Sequence, residues 1–383
     1  MAADKMPITP DVVTWARERL GYSLEELAQK RPEFKKIAEW ESGDSRPTYR
    51  QLESLAKVLT VPVAIFFFPA PPDLPRIEET FRTLSAEQFA EIPPRIRVLL
   101  HKARAFQIGL GELNDGRNPA HQIVTRDLSL SINDPVSFIV RQVREFLGVS
   151  LADQFKWPDA GSALKAWRTT FYNVGVTVFK DAFRERGYSG FSLYDKEFPI
   201  IYVNNSNTKA RQIFTLFHEL AHLLLHMSGI DRDTAFRQPF PADKRRIEKT
   251  CDSLASAILV PEEALNAEIL ACAADRSLAE DLARKFCVSK ELIFRRFRDR
   301  GLVTDQAFTD AKQEWDSQLA RDEGDIGGNY YRTKIAYLGE EYITLAFKRF
   351  YQDRIDEEEL ADYLAIKPKH LGQLEDTLFE VSR

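Results

Sequence analysis

Residues 213–226 read Ile-Phe-Thr-Leu-Phe-His-Glu-Leu-Ala-His-Leu-Leu-Leu-His, and at their centre stands His218-Glu219-Leu220-Ala221-His222, the H-E-x-x-H pattern. A helix turns about 100° per residue, so histidines four apart sit within roughly 40° of one another, one turn apart. Both imidazoles then reach one metal ion. The glutamate between them projects beside that ion, where it can take a proton from a metal-bound water. Two imidazoles, a carboxylate and one open position make a hydrolytic zinc site, so zinc is the expected cofactor. The context strengthens this reading. The chain has six histidines, and three of them fall between 218 and 226. The flanks Phe214, Leu216, Phe217, Leu220, Leu223 and Leu224 are apolar, which predicts a buried helix. Two ordinary histidines and a glutamate in such a helix are costly unless paired or metal-bound.

A catalytic zinc needs a third protein ligand. His226 lies four residues past His222, but three ligands along one straight helix would span about 12 Å, from the ~1.5 Å rise per residue. His226 is expected instead to cap the helix end, where a donor meets free carbonyls. A second buried helix is expected over roughly 244–260, stopped by Pro261. Its apolar face (Cys251, Leu254, Ala255, Ile258, Leu259) would pack on the first helix. Glu248 shares roughly that face, one turn before Cys251 and Asp252. From the residues alone, Glu248 is either the third ligand or a solvated first-turn glutamate. Cys251 reads as a small buried packing residue rather than a ligand.

Upstream of the H-E-x-x-H helix the period changes. Residues 176–179, 190–194 and 199–203 are short β-prone runs bounded by turn residues, and they predict a small sheet beside the helix. The stretch near 199–204 is read as an edge strand that could take a peptide as an added strand. Tyr202 and Arg211 are the candidates for stabilising an oxyanion. A polar loop is expected over 228–243. Amphipathic helices are expected at 135–148 and 160–174, a helical stretch at 84–114, and further helices from 262 to the end of the chain.

Residues 8–68 predict a compact helical unit. Val12, Val13, Ala16 and Leu20 repeat at helical spacing. Ser23 and Glu26 form a capping box. Gly43 suits a helix C-cap, and Pro47 precedes another helix carrying Leu52, Leu55, Ala56 and Leu59. The series Ser-Leu-Glu-Glu-Leu-Ala, Trp40-Glu41-x-Gly43, Arg-Pro-Thr and Leu-Ala-Lys-Val-Leu resembles the phage-repressor (Xre/Cro) helix-turn-helix family. The segment where that family's recognition helix should sit, Arg31 to Trp40, is short and contains Pro32. It carries Arg31, Lys35 and Lys36, which could touch phosphates. Residues 1–68 hold ten Lys/Arg and ten Asp/Glu, so the unit is neutral, whereas DNA affinity rests largely on phosphate neutralisation. Two readings stay open: a DNA-binding unit, or a module for protein docking or homodimerisation.

The stretch Phe-Thr-Leu-Phe-His-Glu-Leu-Ala-His-Leu-Leu-Leu-His, followed by Glu-x-x-Cys-Asp-x-Leu-Ala-x-x-Ile-Leu-Val-Pro, resembles the ImmA/IrrE family of zinc metallopeptidases. The resemblance implies an α+β, mostly helical fold: an N-terminal helix-turn-helix bundle, then a zincin-like metallopeptidase domain with a small β-sheet. It implies that Glu248 is the third zinc ligand. Where the family usually has Ala-Asn, this chain has Cys251-Asp252, and Asp252 could replace the asparagine in holding a ligand histidine. Glu219 would then serve as general base. The domain boundaries expected are 1–68, a helical linker region at 69–150, the peptidase domain at 151–305 and a helical C-terminal region at 306–383. The implied function is a regulatory endopeptidase cleaving or controlling a protein partner, such as a repressor or a toxin-like neighbour, in stress responses or mobile-element control. The alternative is a DNA-binding regulator or antitoxin in which the peptidase fold serves partner binding. The presence of Glu219 favours the enzyme, because a scaffold has no need of a base.

Composition sets the outer bounds. At 383 residues the chain is long enough for two or three domains, and 44% hydrophobic with 29% charged residues is an ordinary globular balance. A net charge of −5 does not advertise a nucleic-acid binder. No run approaches 18 apolar residues, so no membrane span is expected, and residues 1–7 carry no apolar signal core. Three scattered cysteines, Cys251, Cys272 and Cys287, argue against a disulfide framework. A reducing, cytoplasmic setting is expected.

Overall fold

The computed structural model describes residues 4–74, 77–81, 86–128, 130–131, 133–232, 242–271, 274–322 and 328–381. The fold is α+β and mostly helical, with one four-stranded mixed sheet. The chain parts into two compact units, Met1–Arg104 and Ala105–Arg383. No described helix is long and apolar enough to cross a membrane.

In the first unit, helices Pro10–Arg19, Leu24–Lys30, Ile37–Ser42 and Tyr49–Leu59 close around Val12, Val13, Leu27, Trp40, Leu52 and Phe66. Local chemistry sets the helix ends. Ser23 and Glu26 satisfy each other's backbone N–H groups at the second helix, and Thr48 with Gln51 does the same at the fourth. Gly43 ends the third helix at φ 84°, a left-handed turn that L side chains rarely adopt. Between the second and third helices, Pro32–Phe34 forms only a 3-10 turn. Arg17, largely buried, is neutralised by Glu41, whose two oxygens accept from Nε at 2.7 Å and Nη2 at 2.8 Å.

In the second unit, strands β1 (Thr177–Asp181), β2 (Tyr188–Leu193), β3 (Ile200–Asn204) and β4 (Ile230–Arg232) take the order β1-β3-β2-β4. β1 and β3 are parallel, and the other pairs are antiparallel. Side chains alternate across the sheet. Val178, Ile201 and Val203 join the core that includes Ile213, Leu216 and Leu220 of helix Lys209–Leu224. Phe179, Phe191 and Tyr202 face the other way, with Phe191 and Tyr202 stacked at 5.0 Å. Helix Lys209–Leu224 packs on β2 and β3, on helix Ala160–Asn173 and on helix Ala242–Leu259. Helix Val136–Leu147 closes on Ala242–Leu259.

Two expectations change here. β3 lies inside the sheet, between β1 and β2, so both its edges are already paired and a peptide cannot be added to it. Residues 230–232, expected within a polar loop, form β4, because Ile230 and Asp231 pair with Phe191 and Gly190. Of that loop, 233–241 lie outside the described residues, as does Cys272; Cys251 and Cys287 are buried and form no disulfide among the described residues.

Candidate metal centre

Helix Lys209–Leu224 begins at Thr208, whose hydroxyl accepts from the Arg211 N–H, and carries His218, Glu219 and His222 wholly inside the protein. Helix Ala242–Leu259 supplies Glu248, 5% exposed, from the face that also buries Cys251 and Ala255. The two imidazoles turn their Nε2 atoms toward each other at 3.2 Å. The Glu248 carboxylate stands 3.4 Å from His218 Nε2 and 3.6 Å from His222 Nε2. All three donor groups lie within 4.8 Å of one another. His218 Nδ1 meets Asp252 Oδ1 at 2.9 Å, a contact that turns its Nε2 toward the convergence.

These residues suit a metal on chemical grounds. Two imidazole nitrogens and a carboxylate converge among buried side chains. Four carboxyl groups (Glu219, Asp231, Glu248 and Asp252) lie around the two imidazoles, an acid-rich setting that a divalent cation would suit. The ionisations follow from the same crowding. For His218, burial is the largest influence and acts downward, but Asp231, Asp252 and Glu248 together outweigh it and hold the imidazole well above its usual value. Burial, reinforced by His218, lowers His222 to about 4. Burial, with Asp231 and Glu248 adding, raises Glu219 to about 8 against the opposing pull of His218 and Ser192.

Glu219 is held from the sheet. Its Oε2 accepts from Ser192 Oγ at 2.6 Å, and its Oε1 accepts from the Asp231 N–H at 3.1 Å. The Gly229 N–H in turn donates to Ser192 Oγ at 3.2 Å. Gly229 passes so close that a Cβ there would stand 2.4 Å from His222 Cδ2 and 2.9 Å from Glu219 Oε2. Asp231 is buried and accepts from Thr215 Oγ1 at 3.3 Å, with Arg211 Nη2 at 3.6 Å. Sequence reasoning missed Ser192, Thr215, Gly229 and Asp231. Thr215 was legible, one turn before Glu219 on the same helix face. The other three depended on the β2–β4 pairing.

Arg211 reaches Ser189 Oγ (3.0 Å) and Asp231, so it supports the surroundings of Glu219 rather than the imidazoles. Tyr202 needs correction: strand alternation points it to the sheet face opposite the helix, where it stacks on Phe191 and its hydroxyl lies 3.5 Å from Asp181 Oδ2. His226 does not cap the helix with its ring. Its backbone N–H donates to the Leu223 carbonyl, its φ is 56°, and its exposed imidazole lies beside Tyr194. Arg31, Lys35 and Lys36 lie on the surface of the first unit. Arg31 stands 3.7 Å from Glu33, and Lys36 stands 3.3 Å from Glu39.

A helix carrying two buried imidazoles, a second helix supplying a carboxylate and a small mixed sheet together make a group that could hold a metal ion. Residues 173–298 match the family model described as the IrrE N-terminal-like domain, Peptidase_M78. That match supports the resemblance to the ImmA/IrrE family and suggests a zinc metallopeptidase-like function for this part of the chain. No curated protein matches the chain.

Proposed function

We propose that the chain is a zinc-dependent regulatory endopeptidase that cleaves or controls a protein partner such as a transcriptional repressor. The observation that carries this reading is the convergence of His218, His222 and Glu248 beside a fourth buried group, Glu219, which is not needed to hold a metal. His218 and His222 would hold zinc through Nε2, and Glu248 through its carboxylate. Zinc bound there would supply Lewis acidity, acidifying water and polarising a peptide carbonyl. Glu219 is the proton carrier: it accepts a proton from the attacking water and returns it to the leaving amine. Ser192 and the Asp231 N–H fix the carboxylate, and Asp252 fixes the His218 tautomer. Metal analysis of the purified chain, with wild type and Glu219→Gln compared on co-expressed products of neighbouring genes, tests the reading. Zinc in both and cleavage only by wild type is expected. Equal cleavage by both would remove Glu219 from the chemistry.

For the first unit, one observation favours partner docking over DNA reading. Two of the three candidate phosphate contacts, Arg31 and Lys36, sit beside carboxylates of their own segment. In the recognition position there is only a 3-10 turn followed by the six-residue helix Ile37–Ser42. A gel shift against the gene's own upstream region tests this: a shift that weakens steeply with salt would restore the DNA reading.

A further inference from the structure

Beside the metal-facing side of helix Ala242–Leu259 runs a second stripe that the chemistry above does not use. Arg245, Lys249 and Ser253 recur at a spacing of four, so they line one side of the helix. Lys249 directly follows Glu248, and Ser253 directly follows Asp252, so the two stripes run side by side. With Arg246, these residues line a cleft of about 490 Å³ against the start of helix Val136–Leu147. That volume is in the range of a ligand site. Among the described residues three cations face it and one carboxylate, Asp134, opposes them, in a chain whose formal net charge is −5. The three cations are exposed. Arg246 donates to Asn133 Oδ1 at 3.3 Å, and Lys249 makes no ion pair among the described residues. Asp134 is partly engaged, because its Oδ2 accepts from the Ser131 N–H at 2.7 Å. Val136 and Ile139 give the cleft an apolar floor, and Thr250 adds a hydroxyl.

We propose that this cleft binds an acidic segment of the peptide substrate, an inference that rests on the peptidase reading above. Charge complementarity selects the occupant: Arg and Lys side chains favour carboxylates, and the Val136–Ile139 floor accommodates a side-chain stem. A nucleic-acid strand fits less well, because among the described residues no aromatic side chain lines the cleft to stack a base. The adjacency of the two stripes places a bound acidic residue within about 10 Å of the metal-facing side, the width of one helix. The cleft therefore selects which peptide bond is presented, through residues that touch neither metal nor base.

The test uses the full-length Glu219→Gln chain, which would bind without turnover, and fluorescence anisotropy of a labelled hexaglutamate peptide. Hexaglutamine and a thymidine oligonucleotide of equal charge are the comparators. Hexaglutamate should bind tightest at low salt. Arg246→Glu with Lys249→Glu should weaken it roughly ten-fold or more, as expected when two attractive charge contacts are replaced by repulsion. The charge-preserving pair Arg246→Lys and Lys249→Arg should retain binding, which separates charge from folding. Equal binding of hexaglutamate and hexaglutamine, or no response to charge reversal, would overturn the proposal. Equally tight oligonucleotide binding would overturn the peptide assignment. Zinc measured on the same samples keeps the two readings apart. Zinc retained without glutamate preference sinks the cleft alone, and glutamate preference in a chain that holds no zinc sinks the metal reading alone.

Discussion

Helix Lys209–Leu224 and the segment from Arg31 to Ser42 both carry the polar residues on which a functional reading turns, yet they carry different weight. In the helix, His218, Glu219 and His222 are buried, and each meets a named partner or another residue of the group. In the other segment, Arg31, Lys35 and Lys36 are exposed, and two of them stand beside neighbouring carboxylates. A buried polar group costs several kilocalories unless something satisfies it, roughly 2–7 by transfer measures, so its presence demands a reason. An exposed lysine costs almost nothing and demands none. The same residue count therefore supports a site in one region and only an option in the other.

The sharpest way to break that contrast is at Glu219. Glu219→Gln keeps the shape and the Asp231 N–H contact but cannot accept a proton, so peptide hydrolysis should fall by roughly 10²–10⁴-fold with zinc retained. A steady-state assay of the two proteins decides it. Next in size is Gly229→Ala. The added Cβ meets the His222 ring at 2.4 Å, so stability should fall by about 1–3 kcal/mol in denaturant titration, with weaker zinc retention. Gly372→Ala, where nothing lies within 4 Å, is the control and should not destabilise.

A third test asks whether burial always signals function. Lys180 on β1 is 6% exposed, and burial, with Arg168 and Lys209 adding, lowers it to about 6. Its folded affinity for protons lies below its unfolded value of about 10.5. The unfolded chain thus binds the extra proton between these values, so the penalty is full below about 6 and vanishes above about 10.5. Lys180→Met should stabilise the protein on the order of 2 kcal/mol at neutral pH, and the gain should shrink as pH rises toward 10. A gain that grew with pH would contradict the placement of Lys180. Smallest of all, Ala at Arg31, Lys35 and Lys36 should change stability by no more than about 0.5 kcal/mol.

Much of this was legible in the sequence, and the reason differs by element. The ligand helix was legible because four-residue spacing is a local property of helices. The capping box at Ser23 and the left-handed end at Gly43 are likewise local. Glu248 was placed as a candidate by its face on a second helix, and the three donors do meet. What escaped was set by pairing between distant strands. β4 lies in a stretch with no alternating pattern, and it brings Gly229 and Asp231 to Glu219. Tyr202 was misplaced because one residue of register in a strand exchanges the two faces of the sheet. The family resemblance named the chemistry, but it did not distinguish an interior strand from an edge.

The most direct test of the central claim is metal content across four proteins: wild type, His222→Ala, Glu248→Ala and His226→Ala. About one zinc per chain is expected for wild type, by the ligand count of a three-residue site, with His226→Ala indistinguishable from it and the other two depleted. Zinc held by Glu248→Ala as tightly as by wild type, while His226→Ala loses it, would contradict the ligand set.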